Sequence, residues 1–182
     1  DGGEVNIAGA DVSTAATTMI NTSGFGRGGA VIIDAGDEAN IEGGQILSNG
    51  QTIRGGDIGI TGPNVNIGND ANIDAAGEAG GRIRIGGGFR GQDESIDNAE
   101  NTTVEEGVQL DASATGDGNA GQVIVWADQD TYFGAAASSN AVAGNGGLIE
   151  ISGLDTLTMR GSVSATSVEG RSGTVLFDPG DV

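Results

Sequence analysis

The sequence predicts an all-β chain folded as a right-handed parallel β-helix, or β-solenoid, with about seven turns of about 26 residues. Three observations predict it. A glycine-led signature recurs at near-constant spacing, its apolar part alternates as a half-buried strand does, and no window carries a helical apolar stripe. The signature, Gly-Gly-x-Val/Ile-x-Ile/Val, first reads GGEVNI (Gly2 to Ile7), GGAVII (Gly28 to Ile33), GGDIGI (Gly55 to Ile60) and GGRIRI (Gly80 to Ile85). It continues as AGQVIV (Ala120 to Val125), GGLIEI (Gly146 to Ile151) and SGTVLF (Ser172 to Phe177). The second glycines, Gly3, Gly29, Gly56, Gly81, Gly121, Gly147 and Gly173, are spaced 26, 27, 25, 40, 26 and 26 residues apart.

Each signature strand carries two aliphatic residues one apart, as in Val5/Ile7, Ile58/Ile60 and Ile149/Ile151, so both face the same side. The glycine doublet before it is expected to turn a corner at φ > 0, which glycine does without steric cost. A second mark, Ile-x3-Gly, appears at Ile20/Gly24, Ile46/Gly50 and Ile73/Gly77. Between the two marks stand Val12, Ile41, Val65 and Ile67, giving about three short strands per turn. With no antiparallel neighbour in sequence, each strand pairs with its equivalent one turn away, so Val5, Val31 and Ile58 form a column. At a strand spacing of about 4.8 Å, seven turns make a rod roughly 35 Å long. Each turn buries about four to six aliphatic side chains at roughly 1.5–3 kcal/mol apiece. A single turn does not stand alone; the stack is stable as a sum of neighbour terms.

The composition also allows a disordered acidic tail, since the formal charge is −19 and glycine numbers 36. The β-branched residues decide against it, because they keep register with the glycines. The chain reads as one solenoid segment, residues 1–182, beginning and ending inside the pattern. Its one long step, from Gly81 to Gly121, places a polar insertion loop at about 91–101 (GQDESIDNAEN). Surface loops absorb such length at small entropic cost.

Cysteine and histidine are absent and all seven basic residues are arginines. This excludes disulfides, thiolate metal sites, a Ser-His-Asp triad and lysine Schiff-base or phosphate-loop chemistry. The acidity disfavours nucleic acid, and no stretch is apolar enough for membrane insertion. Screening by salt or divalent ions suits such a chain to an extracellular setting.

Parallel β-helices host polysaccharide lyases and hydrolases, whose chemistry uses paired carboxylates. Asp128 and Asp130 are expected on one strand, pointing the same way as paired glycosidase carboxylates do, or simply as a solvated edge. Asp34, Asp37 and Glu38 are expected at the turn after VII, again as a solvated acidic edge, and either group could hold calcium loosely through oxygen ligands. The middle residue of each signature strand is expected to face out: Asn6, Gly59, Arg84 and Glu150, but also Ile32, Ile124 and Leu176. The three aliphatics call for cover, either the insertion loop over Ile124 or a lateral contact with another chain. Arg84 and Glu150 are expected to tolerate substitution. Trp126, Tyr132 and Phe133 are read as a packed corner, with Phe25, Phe89 and Phe177 as single rings. No catalytic, cofactor-binding or metal site is assigned, and no cofactor is expected.

The stretch GNAGQVIVWADQDTYFGAAASSNAVAGNGGLIEISG (Gly118 to Gly153) and the following GTVLFDP (Gly173 to Pro179) resemble the filamentous haemagglutinin-type exoproteins, the adhesins of two-partner secretion. GGRIRIGGGFRG (Gly80 to Gly91) is similar to the preceding block of that pattern. The resemblance implies a secreted or cell-surface β-helix, exported through an outer-membrane pore. The family's Asn-Pro secretion motifs and an Arg-Gly-Asp tripeptide are both absent. The function expected is that of a non-enzymatic structural or adhesive segment of an extracellular fibre. Its partners would be itself, end to end, or the flanking turns of a longer parent chain, with extracellular matrix or polysaccharide beyond. The alternative is a polysaccharide-binding or polysaccharide-degrading β-helix, which needs a groove lined by Asp128, Asp130 and an arginine.

Overall fold

The computed structural model describes residues 1–179. Turn one holds β1 (Glu4–Thr14) and β2 (Met19–Asn21); turn two holds β3 (Ala30–Ile41) and β4 (Gln45–Leu47). The corner strand β5 (Gly50–Arg54) leads into turn three, with β6 (Asp57–Thr61), β7 (Asn64–Ile67) and β8 (Asn72–Asp74). A second corner strand, β9 (Gly77–Ala79), leads into turn four, with β10 (Arg82–Ile85), β11 (Asn101–Val104) and β12 (Gln109–Asp111). Turn five has β13 (Gln122–Ala127), β14 (Asp130–Phe133) and β15 (Ala136–Ser138). Turn six has β16 (Leu148–Gly153), β17 (Thr156–Met159) and β18 (Ser162–Ser164), and β19 (Thr174–Pro179) opens turn seven.

Among the described residues every strand pairing is parallel, and each strand pairs with its counterpart in the next turn. This is the predicted parallel β-helix. Wall one stacks the first halves of β1 and β3 with β6, β10, β13, β16 and β19. Wall two stacks the second halves of β1 and β3 with β7, β11, β14 and β17. Wall three stacks β2, β4, β8, β12, β15 and β18. The register follows the sequence repeat residue by residue: Val5, Val31, Ile58, Ile83, Val123, Ile149 and Val175 form one column of wall one. Wall three's column runs Ile20, Ile46, Ile73, Leu110, Ala137 and Val163. These columns meet in a single continuous core.

The glycine doublets act differently from expectation. None of them has φ > 0. Their role is close approach: a Cβ on Gly29 would overlap the carbonyl oxygen of Gly3, and one on Gly121 that of Gly81. The second glycine also closes its own turn, as in Gly29 N–H to Thr22 O at 2.8 Å and Gly121 N–H to Ala112 O at 2.8 Å. Stacked backbones therefore leave no volume for a side chain at this corner. Left-handed glycines lie elsewhere, among them Gly86, Gly87 and Gly91 at the loop of turn four.

That loop comprises residues 86–100, which leave the stack after Ile85 and return at β11, so Asn101 is already in the wall. It carries a short 3-10 turn at Phe89–Gly91. At the two end faces of the stack, Val5 and Ile7 are half-buried, while Val175 and Phe177 are exposed. Among the described residues no helix is long and apolar enough to cross a membrane.

Candidate functional site

Wall one's outward column runs Asn6, Ile32, Gly59, Arg84, Ile124, Glu150 and Leu176. The loop 86–100 folds over the later part of it. Gly86 and Gly87, with φ of 71° and 156°, swing the chain out of the wall after Ile85. Gly91 then sits flat on Trp126, where a Cβ would fall 2.5 Å from the indole Cε2. The indole N–H donates to Asp128 Oδ1 at 2.8 Å, and Asn98 Nδ2 donates to the same oxygen at 3.0 Å. Asn98 Nδ2 also donates to the Gly91 carbonyl at 3.0 Å, which closes the loop on itself. Ala99 N–H to Gly86 O and Asp128 N–H to Ala99 O, both 2.7 Å, tie the loop's base to turns four and five.

Glu150 was expected outside and tolerant; it is fully buried. The Arg90 backbone N–H donates to both of its carboxylate oxygens, at 3.2 and 3.0 Å, and Ser152 Oγ donates at 3.2 Å. Burial raises its pKa, against the lowering effect of the Arg90 and Ser152 hydrogen bonds. Arg84 is likewise half-covered, with Nη1 3.4 Å from Asp93 Oδ2. Burial and the neighbouring Arg82 lower its pKa, while Asp57 and Asp93 oppose them. Asp93 is held below the ordinary carboxylate range first by the Ser95 hydroxyl. Strand parity correctly points these residues away from the core; it carries no information about the loop that folds over them, which for Glu150 lies 60 residues earlier.

Of the three outward aliphatics, Ile124 is buried between Arg84 and Glu150, Ile32 remains 45% exposed, and Leu176 is intermediate. The loop thus covers turns four to six of the wall and leaves its early turns bare. A groove of about 380 Å³ runs along the loop's flank, lined by Ile32, Gly59, Thr61, Arg84, Ile96 and acidic residues.

Asp128 and Asp130 do not share a strand. β13 ends at Ala127, Asp128 stands at the corner bonded to Trp126 and Asn98, and Asp130 opens β14. One depression that Asp128 lines, beside the loop, contains neither Asp130 nor an arginine. Asp34, Asp37 and Glu38 lie along the continuous strand β3, where it bends from wall one into wall two. Asp34 accepts from Thr61 Oγ1 at 3.3 Å and Glu38 from Asn66 Nδ2 at 2.8 Å. Among the described residues no group of three acidic side chains is placed to hold a metal ion. Trp126, Tyr132 and Phe133 do not form one corner: Trp126 lies under the loop, Phe133 is in the core, and Tyr132 is half-exposed on wall two.

No family model matches the sequence, and no curated protein matches it. Among solved structures, the chain is similar to the HMW1 secretion domain from Haemophilus influenzae, with a TM-score of 0.78 and 26% identity. The match covers 95% of this chain and 46% of that one, so the chain spans about half the length of the domain it resembles.

Proposed function

We propose that this chain is a non-enzymatic structural segment of a secreted two-partner-type adhesin or surface fibre, of the filamentous haemagglutinin kind. The unbroken parallel register of wall one across seven turns carries the reading. Such a ladder makes a stiff rod in which each turn supports only its neighbours, which suits length and resistance to proteolysis. The likeness to a secretion domain supports export, and the resemblance to filamentous haemagglutinin-type exoproteins implies a partner pore in the outer membrane as its route. Among the described residues the end strands of wall one, β1 and β19, are paired on one edge only, and Val175 and Phe177 are exposed. In this reading the end faces pack against other turns, either those of a longer parent chain or those of another copy. Extracellular matrix or polysaccharide would then be met along the flanks of the rod.

Antibodies raised against the folded rod test this reading on the source cells. Labelling of intact cells, or recovery of the protein from the medium, is the expected outcome; confinement to the cytoplasm would sink it. Incubation with neutral and acidic polysaccharides should release no reducing ends or unsaturated products. The alternative of a polysaccharide-active enzyme revives if it does.

A further inference from the structure

Gly59 alone leaves wall one's outward column without a side chain. Nothing in the fold demands glycine there. Its φ is not positive, and a Cβ would meet no atom within 4 Å. Glycine inside a strand weakens it and often marks a close approach by a ligand or another backbone. The open space above Gly59 is the groove of about 380 Å³, floored by Ile32 and walled by Ile96 of the loop. Asp34, Glu94 and Asp97 stand around it. Past Asp34 and Asp97 it continues into a second depression of about 400 Å³ along Ala35, Gly62 and Pro63. Arg84, at the other side, is engaged by Asp93. Among the described residues Asp34, Glu94 and Asp97 are in no ion pair.

We infer that this groove is a docking site for an extended segment of another polypeptide, which lays a lysine or arginine side chain over Gly59. The occupant's chemistry follows from charge and shape. Long basic side chains carry an apolar stem behind a charged tip. The stem matches Ile32, Ile96 and the bare backbone of Gly59, and the tip meets Asp34, Glu94 and Asp97. The formal charge of −19 steers such a partner inward over distance.

The probe is the blocked pentapeptide Ala-Ala-Lys-Ala-Ala, with norleucine and glutamate versions as controls. Each is titrated into the isotope-labelled full chain while the amide resonances of Ile32, Gly59, Thr61 and Ile96 are followed. Saturable shifts at these four from the lysine peptide are expected, weakened about tenfold or more by Gly59→Leu. The double change Asp34→Asn with Asp97→Asn should weaken them similarly and leaves the floor intact, so the test survives a folding defect in Gly59→Leu. Unsaturable shifts spread over the acidic surface, an equal response to norleucine, or undiminished binding in both variants would overturn the proposal. So would self-association of the chain alone that Gly59→Leu abolishes, since the occupant would then be a second copy.

Discussion

Glu150 and Gly59 occupy equivalent positions, outward in the middle of a wall-one strand, and meet opposite surroundings. One is sealed under the loop and the other faces open space. Glu150→Ala leaves the part-buried Arg90 N–H without its acceptor, which costs roughly 1 kcal/mol. Glu150→Gln keeps an acceptor and removes the buried charge, so it should be milder at neutral pH. The folded-state pKa of Glu150 is raised above its ordinary value of 4.5. Its contribution to stability is therefore fully present below that value and is lost as pH rises through the folded one. Denaturation midpoints of the native chain and Glu150→Gln, measured from acid to neutral pH, should diverge as pH rises, with the native chain falling behind. A constant difference would contradict the buried carboxylate. The glycines give a second contrast. Gly121→Ala drives a Cβ into the Gly81 carbonyl and should destabilise by about 3 kcal/mol or more. Gly59→Ala has room, and should stabilise by about 0.5–1 kcal/mol because it removes only glycine's entropic cost. Thermal melts of the two variants decide between these signs.

The element that the repeat could announce but not orient is the loop 86–100. The long step from Gly81 to Gly121 marks its presence, because every other column keeps a near-constant period. Its direction depends on contacts distant in sequence: Gly91 on Trp126, Asn98 on Asp128, and Arg90 on Glu150, 60 residues away. Walls and register were legible for the opposite reason, since in-register pairing between successive turns makes position in the repeat equal to position in the column. The candidate groove was not legible, because it needs Ile32 and Gly59 of two turns beside Ile96 of a loop. Replacing residues 87–98 by a two-residue linker should leave the far-ultraviolet β signal intact, as the wall pairings on either side do not use the loop. Trp126 is the single tryptophan, so its emission reports the cover directly. A red shift with an unchanged β signal is expected; an unshifted emission would mean that something else buries the indole.

At the scale of the whole rod, stability is a sum along one axis, and damage should stay local. Ile83→Asp and Ile149→Asp each bury an unpaired charge in a column whose members in the middle turns are fully inaccessible. The cost is several kcal/mol, on the order of 2–7, and limited proteolysis should open the affected turn first. The end faces pose the larger question. Val5 and Ile7 at one, and Val175 and Phe177 at the other, are the same column positions that are sealed in every middle turn. Pairing β19 of one copy with β1 of the next would continue both the hydrogen-bond ladder and the apolar column. This contact is head-to-tail, so it propagates into a filament. Opposing it is the charge of −19 on each copy. That repulsion reaches about 30 Å at 0.01 M salt and only about 3 Å at 1 M, whereas the apolar contact is indifferent to it. The isolated chain should therefore remain single at low ionic strength and form rods much longer than roughly 35 Å at high ionic strength, as seen by electron microscopy. Val175→Pro removes a ladder donor at the growing edge and should shorten them without unfolding the middle turns. Single particles at every salt concentration would leave the turns of a longer parent chain as the cover for both faces.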